Sequence, residues 1–206
     1  SILGMPSEND WILNGLAFDP SLIRDYLSYN LSRQIGNYAS RTEYCEVVLN
    51  GNYIGLYIMQ EKIKAGSDRV NVLKIGTSDS SSLNVTGGYI TKADKTTGGD
   101  PVAWTMPTYV ASVDFIHELP KPEAVLPVQT NYIYNQFLQL ATTSNTNATS
   151  VLDGYPSVID VPSFVDFMLI SELASNVDSY QYSTFFHKDR NGKLRAGPIW
   201  DFNLTY

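Results

Sequence analysis

The sequence predicts an α+β domain in which an antiparallel sheet packs against two or three helices. Hydrophobic residues make up 43% of the 206 residues, and they fall into both helical and strand-like spacings. Single hydrophobic cores usually divide only beyond about 250 residues, so we expect residues 1–206 to form one domain.

Two segments are typical of β-hairpins. Residues 45–49 and 53–59 alternate in hydrophobicity on either side of Asn50-Gly51, which is a signature of a type I′ turn. Farther along, we predict strands over Ser183–Lys188 and Lys193–Trp200, joined by a turn, and a short strand over Gly87–Lys92. Two hairpins favour antiparallel pairing.

Three helices are predicted from capping residues and apolar spacing. The first begins at Asp19-Pro20-Ser21, ends at Gly36 and carries Ile23, Leu27, Leu31 and Ile35 on one stripe; the second covers 132–140; the third begins at Asp160 and carries Phe164, Phe167 and Met168. We expect loops over Ala93–Pro107, around His117 and over Thr142–Pro156.

Charge and hydropathy exclude several partners. The formal net charge is −7, which disfavours binding to nucleic acid or to an anionic membrane surface, because such binding depends on Lys and Arg. No apolar run approaches the roughly 18 residues that a membrane span needs, so we expect no membrane span.

The scarcity of cysteine and histidine limits the possible chemistry. Cys45 is the single cysteine, which excludes an internal disulfide and a cysteine-based zinc site. The two histidines, His117 and His187, lie 70 positions apart, and no Gly-x-Ser-x-Gly motif occurs. Any chemistry therefore depends on carboxylates, amides and lysines.

Two aspartates belong to a segment that runs in the order helix, loop with an acid, β-hairpin and second acid. Asp178 follows the third predicted helix and Asp201 follows the second hairpin, so both carboxylates return to the same end of that hairpin. In kinase-type phosphotransferases one such aspartate orients the acceptor hydroxyl and the other holds the metal on ATP. Hard oxygen donors of this kind suit Mg²⁺ or Mn²⁺. The alternatives are an Asx-turn at Asp178 and a capping role for Asp201.

Six segments in order give the chain its resemblance to a family. It resembles the CotH family, proteins similar to spore-coat protein H of spore-forming bacteria, over Leu3–Trp11, Leu22–Asp25, Val48–Tyr57 with Glu61-Lys62, Gly87–Ile90, Glu172–Asp178 and Gly197–Asn203. The resemblance implies an atypical protein-kinase-like fold that binds ATP with a divalent metal and phosphorylates Ser-containing coat or surface proteins. It also implies an extracytoplasmic or spore-surface location, and a domain incomplete at both ends, since kinase-like domains are usually longer.

By position in that family, Asp178 corresponds to the catalytic-loop aspartate and Asp201 to the metal-binding aspartate. Ser183 stands where protein kinases have a metal-binding Asn, and Asn203 where the family often has a second Asp, which predicts weaker metal binding. Asn176 or Asn203 could still offer a side-chain carbonyl oxygen to the metal.

The candidate nucleotide-binding residues are Lys62, Lys92 and Glu61, because ATP phosphates need cations and no Gly-x-Gly-x-x-Gly loop occurs. A solvated lysine is the simpler interpretation for either lysine alone.

Three functions remain open from the sequence. The first is a CotH-like kinase that transfers the γ-phosphate of ATP to a protein Ser or Thr. The second is a non-catalytic surface or adhesion module that keeps the fold, for which Ser183 and Asn203 are the motivating departures. The third is a metal-dependent hydrolase, in which water replaces the acceptor hydroxyl.

Overall fold

The computed structural model describes residues 1–108 and 111–206. Its α-helices are α1 (Arg24–Gln34), α2 (Pro127–Asn145), α3 (Tyr155–Val158) and α4 (Val161–Leu173). Its strands are β1 (Trp11–Asn14), β2 (Thr42–Leu49), β3 (Asn52–Glu61), β4 (Tyr89–Ala93), β5 (Trp104–Pro107), β6 (Ser112–Leu119), β7 (Thr184–Lys188) and β8 (Arg195–Ala196). All strand pairs are antiparallel, which confirms the α+β class with helices packed on antiparallel sheets.

The smaller sheet has the strand order β1-β3-β2 and contains the predicted hairpin. Asn50 and Gly51 have φ values of 52° and 83°. Positive φ at both central residues is what a type I′ turn requires, so the turn prediction is confirmed. Strand β1 was not anticipated from the sequence.

The larger sheet has the strand order β5-β6-β4-β7-β8, and β4 is its central strand. One core cluster includes Tyr89 of β4, Phe115 of β6, and Ile133 and Phe137 of α2. A separate cluster joins Ile90 of the same strand to Phe185 of β7 and to the segment that follows β3. Both faces of β4 are therefore buried.

The two glycines before β4 allow the chain to pass close to its neighbours. A Cβ at Gly87 would lie 2.0 Å from the Asp189 carbonyl carbon. Gly88 has a φ of +97°, and a Cβ there would lie 2.4 Å from the Leu73 carbonyl oxygen. Any side chain would collide with backbone at both positions, which explains the Gly-Gly pair physically.

Helix α1 differs from its prediction in both its start and its buried face. It begins at Arg24, whose N–H donates to Asp19 Oδ2 over 2.8 Å, so Asp19 caps the helix from five residues away. The apolar stripe faces outward, with Ile23 50% and Leu27 44% exposed, while Asp25, Ser28, Tyr29 and Ser32 are buried. Asp25 Oδ1 accepts the Phe202 N–H, and Ser28 Oγ lies 3.3 Å from Tyr206 Oη, so the buried face contacts the C-terminal segment. Tyr29 packs in an apolar cluster with Phe167 and Ile170 of α4.

Three loop predictions and one strand boundary were wrong. Strand β5 lies inside the segment predicted as a loop over Ala93–Pro107, β6 contains His117, and α2 and α3 extend into Thr142–Pro156. These elements are stabilised by long-range pairing and packing that local composition does not reveal. Strand β8 ends at Ala196, before the predicted Trp200, because Gly197 has a φ of 99° and Pro198 has no N–H to donate.

No helix among the described residues is both long and apolar enough to cross a membrane.

His117 gives the fold a testable pH dependence. The ring is 3% exposed, and its Nε2 lies 3.1 Å from Thr130 Oγ1. Burial lowers the pKa of His117 from 6.5 to about 4. Between pH 6.5 and about pH 4 the His117 ring is protonated in the unfolded chain but neutral in the folded chain. Lowering the pH through this range therefore favours the unfolded chain, so this contribution to stability is fully present above pH 6.5 and is lost as the pH falls.

Comparing the wild type with His117→Gln isolates this contribution. As the pH is lowered from the unfolded pKa of His117 to its folded pKa, we expect the free energy of unfolding of the wild type to fall relative to that of the variant. The expected slope is up to ~1.4 kcal/mol per pH unit. Urea titrations at a series of pH values measure it. A difference that does not change with pH would mean that His117 is not buried in its neutral form.

Candidate functional site

The loop between α4 and β7 holds Asp178. The Asp178 N–H donates to Asn176 Oδ1 over 3.1 Å, and the Asp178 carbonyl oxygen accepts from Tyr182 N over 2.9 Å. The Asx-turn is therefore made by the side chain of Asn176, whereas the Asp178 carboxylate makes no hydrogen bond to a described residue. Hydrogen bonds therefore hold the backbone of this turn, and the carboxylate can still accept a proton or bind a cation.

Asp201 lies beyond β8 and is half-buried. Its Oδ1 accepts from Asn203 Nδ2 over 2.7 Å, and Ser183 Oγ lies 3.4 Å from its Oδ2. Burial raises the pKa of Asp201, and the charges of Asp178 and Asp94 raise it further, against the hydrogen bond from Ser183. The two predicted aspartates therefore lie close enough for their charges to repel, and a cation would relieve that repulsion.

Ser183 and Asn203, the two residues that differ from the expected metal ligands, both lie next to Asp201. Ser183 donates a hydrogen bond to this carboxylate, and Asn203 turns its amide nitrogen toward it. In this orientation the Asn203 carbonyl oxygen points away, so Asn203 would bind a metal held by Asp201 only after its amide rotates.

The donor set fits Mg²⁺ or Mn²⁺ only in part. Asp178, Asp201, Ser183 and Asn203 offer hard oxygen donors, which these ions prefer. Across residues 1–108 and 111–206, however, no group of three or more His, Cys, Asp or Glu side chains is arranged to hold a metal. Mg²⁺ is commonly bound by one or two carboxylates together with substrate phosphates and water, so the site suits a metal that arrives with a nucleotide.

The comparison with known proteins identifies the family. The family model described as CotH kinase protein matches residues 1–206, the whole chain. The chain belongs to the CotH family. No curated protein matches it.

The blocks that carry the CotH resemblance occupy defined positions in the fold. Val48–Tyr57 forms the tip of the β2–β3 hairpin, and Gly87–Ile90 leads into the central strand β4. Glu172–Asp178 covers the end of α4 and the first acidic loop, and Gly197–Asn203 follows β8. The last two of these blocks meet at the carboxylate pair.

Lys92 and Lys62, the predicted nucleotide-binding lysines, have different surroundings. Lys92 lies on β4 with its Nζ 3.7–4.0 Å from carboxylate oxygens of Asp94, Asp100 and Glu118. These acids compensate its charge, which leaves little net attraction for phosphate. Lys62 is exposed directly after β3 and has no salt bridge to a described residue. The nucleotide-binding roles of both lysines stay predictions.

Glu61 is fully buried at the end of β3, in a network of donors. Its carboxylate lies 2.9 Å from Arg41 Nη1 and 3.3 Å from Arg69 Nε, and it accepts from Tyr38 Oη over 3.2 Å. In this structure Glu61 ties β3 to the segment that follows it. Its predicted part in nucleotide binding would require the carboxylate to leave the two guanidinium groups.

The sequence reasoning missed Asp94 and Lys95. Both charges act on the pKa of Asp201, Asp94 raising it and Lys95 lowering it. The Lys95 ammonium also lies 5.4 Å from the centre of the Tyr182 ring. Antiparallel pairing of Ala93 with Thr184 brings the end of β4 to the start of β7, beside Ser183. The strand before Asp94 was predicted, but its pairing with β7 was not.

Asp25 and Tyr29 of α1 were not predicted as site residues, although Asp25 ends the Leu22–Asp25 block of the resemblance. Tyr29 Oη accepts the Asp201 N–H over 3.1 Å, and Asp25 Oδ1 accepts the Phe202 N–H over 2.7 Å. Burial raises the pKa of Asp25 to about 6, and the Asp201 charge raises it while the hydrogen bond from Phe202 lowers it. No motif in the sequence connects α1 with the last residues of the chain.

A cavity of about 430 Å³ lies beside the site, between the end of α1, α4 and β8. Phe167, His187 and Ile199 are on its walls, and Asp178 and Asp201 are not. Burial lowers the pKa of His187 to about 4, so this ring is neutral near pH 7. The cavity is separate from the carboxylate pair.

Proposed function

We propose that this member of the CotH family is an atypical protein kinase that transfers the γ-phosphoryl group of ATP to a Ser or Thr hydroxyl of a protein with Mg²⁺ or Mn²⁺. The observation that carries the proposal is the meeting of Asp178 and Asp201 at one end of the β7–β8 hairpin, where the charge of Asp178 helps to raise the pKa of Asp201. That arrangement matches the order of acids in kinase-type phosphotransferases.

The roles of the two aspartates follow from their surroundings. Asp178, whose carboxylate makes no hydrogen bond to a described residue, accepts the proton of the acceptor hydroxyl as that oxygen attacks the γ-phosphorus and ADP leaves. Asp201, half-buried and fixed by Ser183 and Asn203, binds the metal. A bound metal would neutralise phosphate charge during transfer.

Lys95 is the cation that we add to this proposal. Its charge already acts on Asp201, and its side chain is exposed beside the carboxylate pair. Lys92 is surrounded by three carboxylates, so Lys95 has the freer charge for a phosphate. Lys62 and Glu61 remain candidates for contacts to other parts of the nucleotide.

The acceptor that we propose is a Ser-rich coat or surface protein, with the reaction taking place outside the cytoplasm or on the spore surface. The net charge of −7 supports a protein acceptor over nucleic acid.

Two other functions have specific support. A non-catalytic adhesion module is favoured by Ser183 and Asn203, which stand where stronger metal ligands are expected, and by the lack of a three-acid cluster within the described ranges. A metal-dependent hydrolase is favoured by the open Asp178 carboxylate, because a general base can activate water as well as a hydroxyl.

One experiment separates these functions. The protein is incubated with γ-labelled ATP, Mg²⁺ or Mn²⁺ and a Ser-rich acceptor, and both acceptor label and free phosphate are measured. The kinase gives labelled acceptor, and the hydrolase gives free phosphate alone. The adhesion module gives neither, and it also shows no thermal stabilisation by millimolar ATP and metal.

Variants assign the activity to the site. We expect the label to disappear in Asp178→Ala and in Asp201→Ala and to persist in Asp153→Asn, which changes an exposed aspartate. Labelling that survives in both alanine variants would contradict the assignment of these residues.

A further inference from the structure

We propose that Asp25 and Tyr29 of α1 are positioning residues that hold the backbone of Asp201 in its metal-binding conformation. This inference rests on the proposed function at one point, the role of Asp201 as metal ligand. It assigns a task to a helix that lies outside the pattern of helix, acidic loop and hairpin.

The two residues hold consecutive amides of the same turn. Tyr29 Oη accepts the N–H of Asp201 over 3.1 Å, and Asp25 Oδ1 accepts the N–H of Phe202 over 2.7 Å. Asp25 and Tyr29 are four residues apart, so both side chains leave the same face of the helix. One rigid element therefore fixes two successive peptide groups.

The turn needs such support because of its backbone conformation. Asp201 has a φ of 60°, in the left-handed region that disfavours residues with a Cβ. Aspartate adopts that region more readily than most residues with a Cβ, and contacts from its surroundings stabilise it there. The two hydrogen bonds from α1 provide that restraint, and Asn203 and Ser183 then fix the carboxylate itself.

Burial makes the restraint strong. Tyr29, Asp25 and Phe202 are 0%, 2% and 1% exposed, so water does not replace a lost hydrogen bond at low cost. The Tyr29 ring also stacks on Trp200 with a centroid distance of 6.1 Å, which fixes the position of its hydroxyl.

The polarity of α1 supports the same assignment. A helix that only packed against the domain would bury Ile23, Leu27 and Ile35, yet these residues are 44–50% exposed. The helix buries Asp25 instead, although a carboxylate is costly to bury, and its Oδ1 accepts the Phe202 N–H. A role in positioning the Asp201 turn explains why α1 buries polar side chains and exposes apolar ones.

Tyr29→Phe is the most selective test, since it removes the hydroxyl and keeps the ring on Trp200. We expect Mn²⁺ binding in the presence of a non-hydrolysable ATP analogue, measured by electron paramagnetic resonance, to weaken about 10-fold, the lower end of the range for residues that orient metal ligands. In the labelling assay, the Mn²⁺ concentration for half-maximal rate should rise by the same factor and the KM for acceptor should not change.

The matched control is Tyr26→Phe on the same helix. The Tyr26 ring contacts Tyr44, with a centroid distance of 5.4 Å, and its hydroxyl bonds to no described residue.

Two variants of Asp25 test the other hydrogen bond. Asp25→Asn keeps an oxygen that accepts the Phe202 N–H and should weaken Mn²⁺ binding less than Asp25→Leu. Circular dichroism confirms that each variant is folded, and equal weakening by the Asn and Leu variants would argue for a general loss of structure and overturn the proposal.

The outcomes distinguish this inference from the kinase proposal. Wild-type Mn²⁺ binding by Tyr29→Phe overturns the positioning role. Weakened Mn²⁺ binding in Tyr29→Phe, together with a wild type that labels no acceptor, supports the positioning role and contradicts the kinase. Wild-type Mn²⁺ binding by Asp201→Asn overturns the metal-site assignment and the positioning role with it.

Discussion

Asp178→Ala is expected to lower kcat for acceptor phosphorylation by about 10²- to 10⁴-fold, the usual contribution of a general base. The Asp178 carboxylate makes no hydrogen bond to a described residue, so its removal leaves the fold intact. Binding of the ATP–metal complex should change little, because Asp201 is still present. Steady-state kinetics with a Ser-rich peptide and direct binding of an ATP analogue measure the two effects separately.

Asp201→Ala should give the opposite pattern. The metal ligand is lost, so binding of ATP with metal weakens, and high Mn²⁺ concentrations should restore part of the rate. Asp153→Asn, an exposed change, serves as the control for both variants. The two roles would have to be revised if Asp178→Ala lost nucleotide binding or if high metal restored its rate.

The second large effect is expected in the stability of the fold. Glu61→Gln should lower the free energy of unfolding by about 3–5 kcal/mol, the usual cost of breaking a buried ion pair by removing one partner. Arg69 would keep its buried charge, since its side chain is 2% exposed, and would lose the carboxylate 3.3 Å from its Nε. Arg41 is less affected because its side chain is 37% exposed.

Urea denaturation of Glu61→Gln measures this loss, with Glu43→Gln as the matched control. Glu43 is an exposed glutamate on the neighbouring strand β2, and its replacement should change stability by no more than about 0.5 kcal/mol. A Glu61→Gln variant that unfolds like the wild type but binds ATP more weakly would contradict the structural role. It would support the nucleotide-binding role that the sequence suggested.

Local signals in the sequence predicted several elements correctly. Asn50-Gly51 specifies its own turn because both residues tolerate positive φ, and the predicted hairpin forms around it. Residues 45–49 and 53–59 lie in its two strands. The third helix was placed within a residue, since Asp160 precedes α4 and its apolar spacing continues to Leu173.

Signals that depend on distant partners failed. The apolar stripe of α1 predicted a helix but indicated the wrong buried face, because Asp25 and Tyr29 face a turn that lies 177 and 172 residues later. His117 was assigned to a polar loop because its neighbours do not show that β6 pairs with β4 and β5.

By itself the sequence determined the α+β class, membership of the CotH family, the β2–β3 turn and the two aspartates, because these depend on residue identity and on spacing along the chain. Only the tertiary structure decided which groups surround those aspartates. Lys95 reaches Asp201 through the pairing of β4 with β7, and α1 reaches it across nearly the whole chain. The energies of such contacts depend on distance and burial in the folded chain, which residue order does not contain.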